Sequence, residues 1–184
     1  SDNASASTLT KAGSGAVRLN GLIGHTGGTS LGEGELILGG SATQTLAGVI
    51  SGTGTLVKDG DGRIILGTAN TYTGPTVVRG GTLTVQNSAA LGTAASGTTV
   101  EPGGTLDLGG TLAAQGLNLG NEVITVSGTG VNGRGAIVNN SDNSQYNALR
   151  YLVLAGDTTF GGEPAGGRWD VRNTAANPYF LMNN

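Results

Sequence analysis

The sequence predicts an all-β protein whose chain coils into a parallel β-solenoid, and three observations lead to this prediction. The first is an internal repeat, because segment 8–15 returns 47 positions later as segment 55–62 with its Thr, Leu, Lys and both Gly in place. The second is a period-two alternation of apolar residues, which is typical of half-buried strands. The third is a content of 36 Gly in 184 residues, since tight turns between stacked strands favour Gly.

The repeat extends past its first segment and sets the expected size of one turn. At the same offset of 47, further pairs match: Val17/Leu19 with Ile64/Leu66, Thr26-Gly27 with Thr73-Gly74, and Leu36/Leu38 with Leu83/Val85. Regularly placed leucines recur at Leu9, Leu36, Leu56, Leu83 and Leu106. From this spacing we expect turns, or rungs, of about 23 residues, roughly eight of them in the chain, and a repeat that spans two rungs.

The solenoid is predicted to have two parts. Residues 1–138 are expected to form regular rungs with the 47-residue double-rung repeat, and residues 139–184 to continue them with a polar loop insertion at 139–147. The last apolar residues, Tyr179–Met182, are unsuited to a solvated end rung, so we expect further repeats or a partner to follow them.

Composition excludes several classes of function. The formal net charge is −3 and no block of basic residues occurs, so nucleic acid is not an expected partner. The chain has no Cys, which excludes disulfides and thiolate metal sites. No apolar run approaches the roughly 18 residues of a membrane helix, so this segment is not expected to insert into a membrane, and its start lacks the features of a signal peptide.

Two segments, 52–62 and 70–83, together resemble the passenger-associated transport repeat, also called the autotransporter-associated β-strand repeat. The resemblance is close over 52–85 and weaker over 8–38, where Ile23-Gly24-His25 replaces Asn-Thr-Tyr. It implies a right-handed parallel β-helix, formed by a single coiled chain, in a bacterial protein that is secreted or anchored at the outer-membrane surface. Members include stalks and adhesins, and the repeat itself brings no catalytic residues and no cofactor.

The residues that could form a chemical site fit structural roles better. His25 is the only His and takes the place of Tyr72 in the repeat, which favours a structural role over a nucleophile relay. Asp59-Gly60-Asp61-Gly62 lacks the later ligands of a calcium loop, so no metal is expected. A polysaccharide lyase or hydrolase is a less favoured hypothesis that would need carboxylates within about 10 Å of each other, for instance Glu35 with Asp59 or Asp107.

The residues most suited to contact a ligand or partner lie in the last quarter of the chain. They are Asn140 and Asp142 in the polar loop, because insertions in solenoids often bind, and the aromatic residues Trp169, Tyr146 and Tyr151, which can stack on sugar rings or fill the core. We therefore predict a non-enzymatic rigid scaffold or adhesin that presents loops for adhesion or self-association, with host or environmental glycans or matrix proteins as partners. A carbohydrate-binding module is the alternative.

Overall fold

The computed structural model describes residues 6–109, 116–162 and 167–172, together with the backbone of 179–182. Its one helical element is a short 3-10 turn at Val131–Gly133, and among these residues no helix is long and apolar enough to cross a membrane. Every strand pair is parallel. The strands are β1 Leu9–Lys11, β2 Ala16–Leu19, β3 Thr29–Leu31, β4 Glu35–Leu38, β5 Gln44–Leu46, β6 Ile50–Gly52, β7 Thr55–Lys58, β8 Arg63–Leu66, β9 Thr76–Val78, β10 Gly81–Val85, β11 Thr98–Val100, β12 Gly104–Asp107, β13 Val123–Gly128, β14 Ile137–Val138, β15 Gln145–Leu149, β16 Tyr151–Thr158, β17 Trp169–Val171 and β18 Tyr179–Met182.

The chain visits three faces in a fixed order. Face 1 holds β1, β3 and β6, and at the far end β15 and β17; face 2 holds β2, β4, β7, β9, β11, β13, β16 and β18; face 3 holds β5, β8, β10, β12 and β14. This cyclic stacking of short parallel strands confirms the predicted β-solenoid. The right hand of the coil stays a prediction of the resemblance.

The rungs grow longer along the chain. One position on face 2 can be followed through its successive register partners, which are Val17, Leu36, Leu56, Thr76, Thr98, Ile124, Leu152 and Phe180. The mean separation of about 23 agrees with the predicted rung length, and the eight stacked strands enclose about seven turns. At about 4.8 Å per step, face 2 extends over roughly 34 Å.

The 47-residue repeat does not span two rungs, and this prediction was wrong. Leu9 lies in β1 on face 1, whereas Leu56 lies in β7 on face 2. Leu9 stacks on Thr29, which stacks on Ile50, so the chain has completed two turns at Ile50 and has rounded one more corner by Leu56. Each copy is therefore displaced by two turns and one face. Leu36 stacks on Leu56, but its copy Leu83 lies on face 3.

Local roles are nevertheless retained between the two copies. The Nε2 atom of His25 lies 2.8 Å from Oγ1 of Thr29, and the hydroxyl of Tyr72 lies 2.6 Å from Oγ1 of Thr76. Tyr72 is fully buried. His25 thus occupies the position of the Tyr in its copy and makes the corresponding hydrogen bond, which supports its predicted structural role.

The core consists of columns of Leu, Ile and Val that point inward from the three faces. On face 3 the column runs Ile64, Leu83, Leu106 and Ile137 in direct register, and each of these side chains is at most 1% exposed. Burying this apolar surface offsets the entropy lost by ordering so glycine-rich a chain.

One core column contains a lysine. Lys58 pairs in register with Leu38 and Val78 on face 2 and is only 1% exposed. Its Nζ donates hydrogen bonds to the carbonyl oxygens of Gly60 at 2.6 Å and Gly80 at 3.0 Å. Since strand ends leave carbonyls without ladder partners, the ammonium joins two consecutive corners.

Burial lowers the pKa of the Lys58 ammonium to about 8, an effect partly offset by the nearby carboxylates of Asp59 and Asp61. Between pH 8 and the ordinary value of 10.5, the unfolded chain binds more protons than the folded one, so stability rises with pH. The free energy of unfolding should increase by about 2 kcal/mol from about pH 7.5 to 9.5. Urea denaturation at the two pH values measures this. The Lys58→Met variant should not show this increase in the free energy of unfolding. A variant with the same pH dependence as the wild type would contradict the assignment of the lowered pKa to Lys58.

Candidate functional site

The extra residues of the later rungs form a loop over face 3. This loop, residues 129–135, begins where β13 ends and precedes β14. Its Val131 N–H donates to Oγ1 of Thr105 at 2.9 Å, and the Thr105 hydroxyl donates to the carbonyl of Gly135, also at 2.9 Å. Thr105 faces outward between its inward neighbours yet is only 5% exposed, because the loop covers it.

Asn132 is held at the outer edge of this loop in a strained conformation. Its φ is +54°, the one positive value among the non-glycine residues that the structure describes. The flanking Gly130 and Gly133 also have positive φ, at +71° and +73°. A side-chain-bearing residue in this region is costly unless its surroundings impose it, and the Asn132 side chain is exposed on the loop.

Two neighbouring cavities share Val131 and Asn132 of the 129–135 loop as lining residues, and we call the pair the face 3 groove. One cavity has a volume of about 110 Å³ and is lined by Thr82, Thr105, Val131, Asn132, Arg134, Val138, Asn140 and Gly162. The second, of about 510 Å³, is lined by Asp61, Gly80, Gly81, Gly103, Gly130, Val131 and Asn132. The second cavity lies within the size range of small-molecule sites, and the first is smaller.

An ion pair between the partly exposed Arg63 and the buried Asp107 joins the strands beside the groove. Arg63, Thr84 and Asp107 lie on three successive strands of face 3, with Arg63 Nη2 at 3.0 Å and the Thr84 hydroxyl at 3.1 Å from Oδ2 of Asp107. Oδ1 of Asp107 accepts the N–H groups of Gly109 and Asn140 at 2.9 and 3.1 Å. The fully buried carboxylate thus has partners on both oxygens, as a buried charge requires.

The predicted contact residues of the polar loop differ in environment. Asn140 and Asp142 are exposed, and Asn140 lines the face 3 groove. Asn139, which precedes both of them, is fully buried, and its Nδ2 donates to the carbonyls of Asn143 and Gly167, both at 2.9 Å. The segment is thus a tight turn fastened to the following rung, and the last part of the predicted 139–147 insertion lies in β15.

The predicted aromatic residues do not meet in one platform. Tyr146 is half-buried beneath two guanidinium groups, with Arg168 Cζ at 5.1 Å and Arg172 Cζ at 5.6 Å from its ring centroid. Trp169 packs partly against the core, makes an edge contact with Phe160 at 5.4 Å and donates from Nε1 to Gly161 O at 3.2 Å.

Tyr151 lies in β16 on face 2 and is half-buried. The side chains of Tyr179 and Phe180, also part of the aromatic-rich end of the sequence, lie outside the described residues. The roles of Trp169, Tyr146 and Tyr151 in ligand contact stay predictions.

The carboxylates named for an enzymatic site have separate basic partners. Glu35 is 3.4 Å from Arg79, Asp59 pairs with Arg18 at 2.5 Å, and Asp107 is buried on another face with its own arginine. Among the described residues, no group of three or more His, Cys, Asp or Glu side chains could hold a metal ion.

Sequence reasoning missed Asn132 and the covering loop, and it named Asp107 as a possible acid of an enzyme rather than as the buried partner of Arg63. The only local signal was Asn between closely spaced glycines in Gly130-Val131-Asn132-Gly133, a pattern that favours positive φ. No sequence pattern indicates that these residues share a face, because that depends on the lengths of the intervening rungs.

Comparison with known proteins supports the resemblance noted from the sequence. The model of the family described as passenger-associated-transport-repeat matches residues 9–38 and 56–85. A curated relative, the BmaC autotransporter adhesin of Brucella suis biovar 1 (strain 1330), is 41% identical over 91 residues, which are 50% of this chain and 3% of that protein. No solved structure matches significantly. Two segments of this parallel β-solenoid therefore match the passenger-associated transport repeat, one over residues 9–38 and one over residues 56–85.

Proposed function

We propose that this chain is a stiff, non-enzymatic segment of a bacterial passenger that is secreted or anchored at the outer-membrane surface, and that it presents loops for adhesion or self-association. The single observation that carries the proposal is the unbroken parallel stacking of face 2 through eight strands. The similarity of half the chain to an autotransporter adhesin supports it.

Stiffness follows from how the rungs are joined. Each inner strand of face 2 is hydrogen-bonded to the strands before and after it, and inward side chains stack in continuous columns. Bending the rod would break hydrogen bonds between strands and, at the same time, separate packed apolar side chains. Such a segment keeps its two ends at a fixed distance, which suits a stalk that holds binding elements away from a cell.

Loop presentation follows from the lengthening of the rungs. An early turn runs from Leu36 to its register partner Leu56, whereas a later and longer one runs from Ile124 to Leu152. The additional residues enter surface connections such as 129–135 and the turn at 139–144. Glycans or matrix proteins are the partners that we expect at these connections.

An adhesion assay tests the proposal directly. Beads coated with the purified chain are applied to immobilised mucin, fibronectin and collagen, and the same protein is examined by sedimentation velocity for self-association. We expect saturable adhesion to at least one surface, or a mass that rises with concentration. Beads that adhere nowhere, with a strictly monomeric protein, would overturn the proposal, and release of reducing ends from the mucin would overturn its non-enzymatic part.

A further inference from the structure

The face 3 groove crosses several rungs. Its lining residues come from the corner before β8 (Asp61), from β10 and its corner (Gly80, Gly81 and Thr82), from the corner before β12 (Gly103), and from positions near β14 and beyond it (Val138 and Gly162). The first and the last of these levels are four strand steps apart, or about 19 Å along the rod. The groove is thus elongated in the direction in which a linear chain could lie.

The groove lining is rich in neutral hydrogen-bonding groups. The Thr82 hydroxyl and the carboxamides of Asn132 and Asn140 provide both donors and acceptors, and Val131 and Val138 add apolar contact surface. The negative Asp61 lines one cavity and the positive Arg134 lines the other. Each cavity therefore has one charged residue, and the two charges have opposite signs. This mixture favours an uncharged ligand with many hydroxyl groups over a polyanion or a purely apolar ligand.

The groove is also preformed. Its floor contains glycines that the fold requires: Gly81 has φ +63°, and a Cβ there would collide with the carbonyls of Gly60 and Gly62 on the preceding rung. The loop wall is fixed by the two hydrogen bonds of Thr105. Preformed walls reduce the ordering cost of binding.

The geometry points to a neutral oligosaccharide as the ligand of the face 3 groove, bound along the rod through its hydroxyls by Thr82, Asn132 and Asn140. This inference deepens the proposed adhesive function, on which it rests, by assigning a ligand class and a surface. It places binding on face 3 rather than on Trp169 and Tyr146.

Binding is measured by titrating the ¹⁵N-labelled chain with cello-, chito-, malto- and xylo-oligosaccharides of four to six units, and with neutral O-glycans released from mucin. At least one series should shift the amide resonances of Gly80, Gly81, Gly103 and Gly130 in a saturable manner. The double variant Thr82→Val/Asn132→Gly should raise the dissociation constant about tenfold or more, because it removes two hydrogen-bonding groups. Glycine accepts the backbone conformation of Asn132 without strain, so the melting temperature should be retained.

Thr45→Val is the matched control, since Thr45 is an exposed threonine on face 3 that does not line the groove, and it should bind as the wild type does. Glycan binding that survives the double variant but is lost in Trp169→Phe would overturn the inference while leaving the adhesive function intact. If coated beads adhere to fibronectin or collagen but no glycan shifts the amide resonances, the inference fails and the adhesive function stands. If the wild-type chain binds no glycan, adheres to no surface and stays monomeric in sedimentation velocity, both proposals fail.

Discussion

Leu83→Asp is expected to abolish the cooperative unfolding transition of the chain at neutral pH. Leu83 is 1% exposed and stacks between Ile64 and Leu106, so the new carboxylate would be buried without a partner. An uncompensated buried charge costs about 4 kcal/mol or more, a large fraction of the stability of a typical domain. Circular dichroism during urea denaturation measures the loss, which should be partly reversed at about pH 3, where the carboxyl group is protonated.

The control for this substitution is Thr99→Asp. Thr99 lies in the middle of β11 and is exposed on face 2, so it places the same charge in a strand without burying it. This variant should unfold within about 0.5 kcal/mol of the wild type. A Leu83→Asp protein that unfolds at the wild-type urea concentration would refute the inward orientation of the column.

Gly52→Ala should destabilise the chain by about 3 kcal/mol or more, although it adds only one methyl group. Gly52 ends β6 with φ +109°, and a Cβ there would overlap the carbonyl of Leu31, its register partner on the preceding rung. The methyl group can be accommodated only if the two rungs separate, which breaks the corner hydrogen bonds from Thr53 N and Gly54 N to Leu31 O.

Gly15→Ala provides the comparison, because a Cβ at Gly15 meets no atom within 4 Å and its φ is not in the left-handed region. Its melting temperature should equal that of the wild type or exceed it slightly, since Ala reduces the entropy of the unfolded chain. Equal melting temperatures for the two variants would show that the corner at Gly52 is looser than the structure indicates.

The features that the sequence predicted correctly are those that depend on local spacing. Alternation placed Leu36 and Leu56 on strands that prove to stack directly, and the repeat correctly paired His25 with Tyr72 as structural equivalents. Both inferences need only the period of two and a constant offset. The family match over 9–38 and 56–85 rests on the same residues.

The features that could not be predicted depend on how far the chain turns between two positions. A rung may be as short as the turn from Val17 to Leu36 or as long as the turn from Ile124 to Leu152, because extra residues enter corners without disturbing the stacked columns. The contact of the 129–135 loop with Thr105 follows from these rung lengths. The meeting of the distant residues Arg63 and Asp107 has the same origin, and buried polar partners of this kind leave no periodic signal in the sequence.

The displacement of each repeat copy by one face bears on how a longer solenoid built from this repeat would present its copies. Equivalent residues such as Lys11 and Lys58 lie on different sides of the rod, because their strands β1 and β7 belong to different faces. If the same offset continued, three consecutive copies would point to three sides and a fourth would return to the first direction. A solenoid built in this way would have no front or back, and each of its three sides would present one copy in every three.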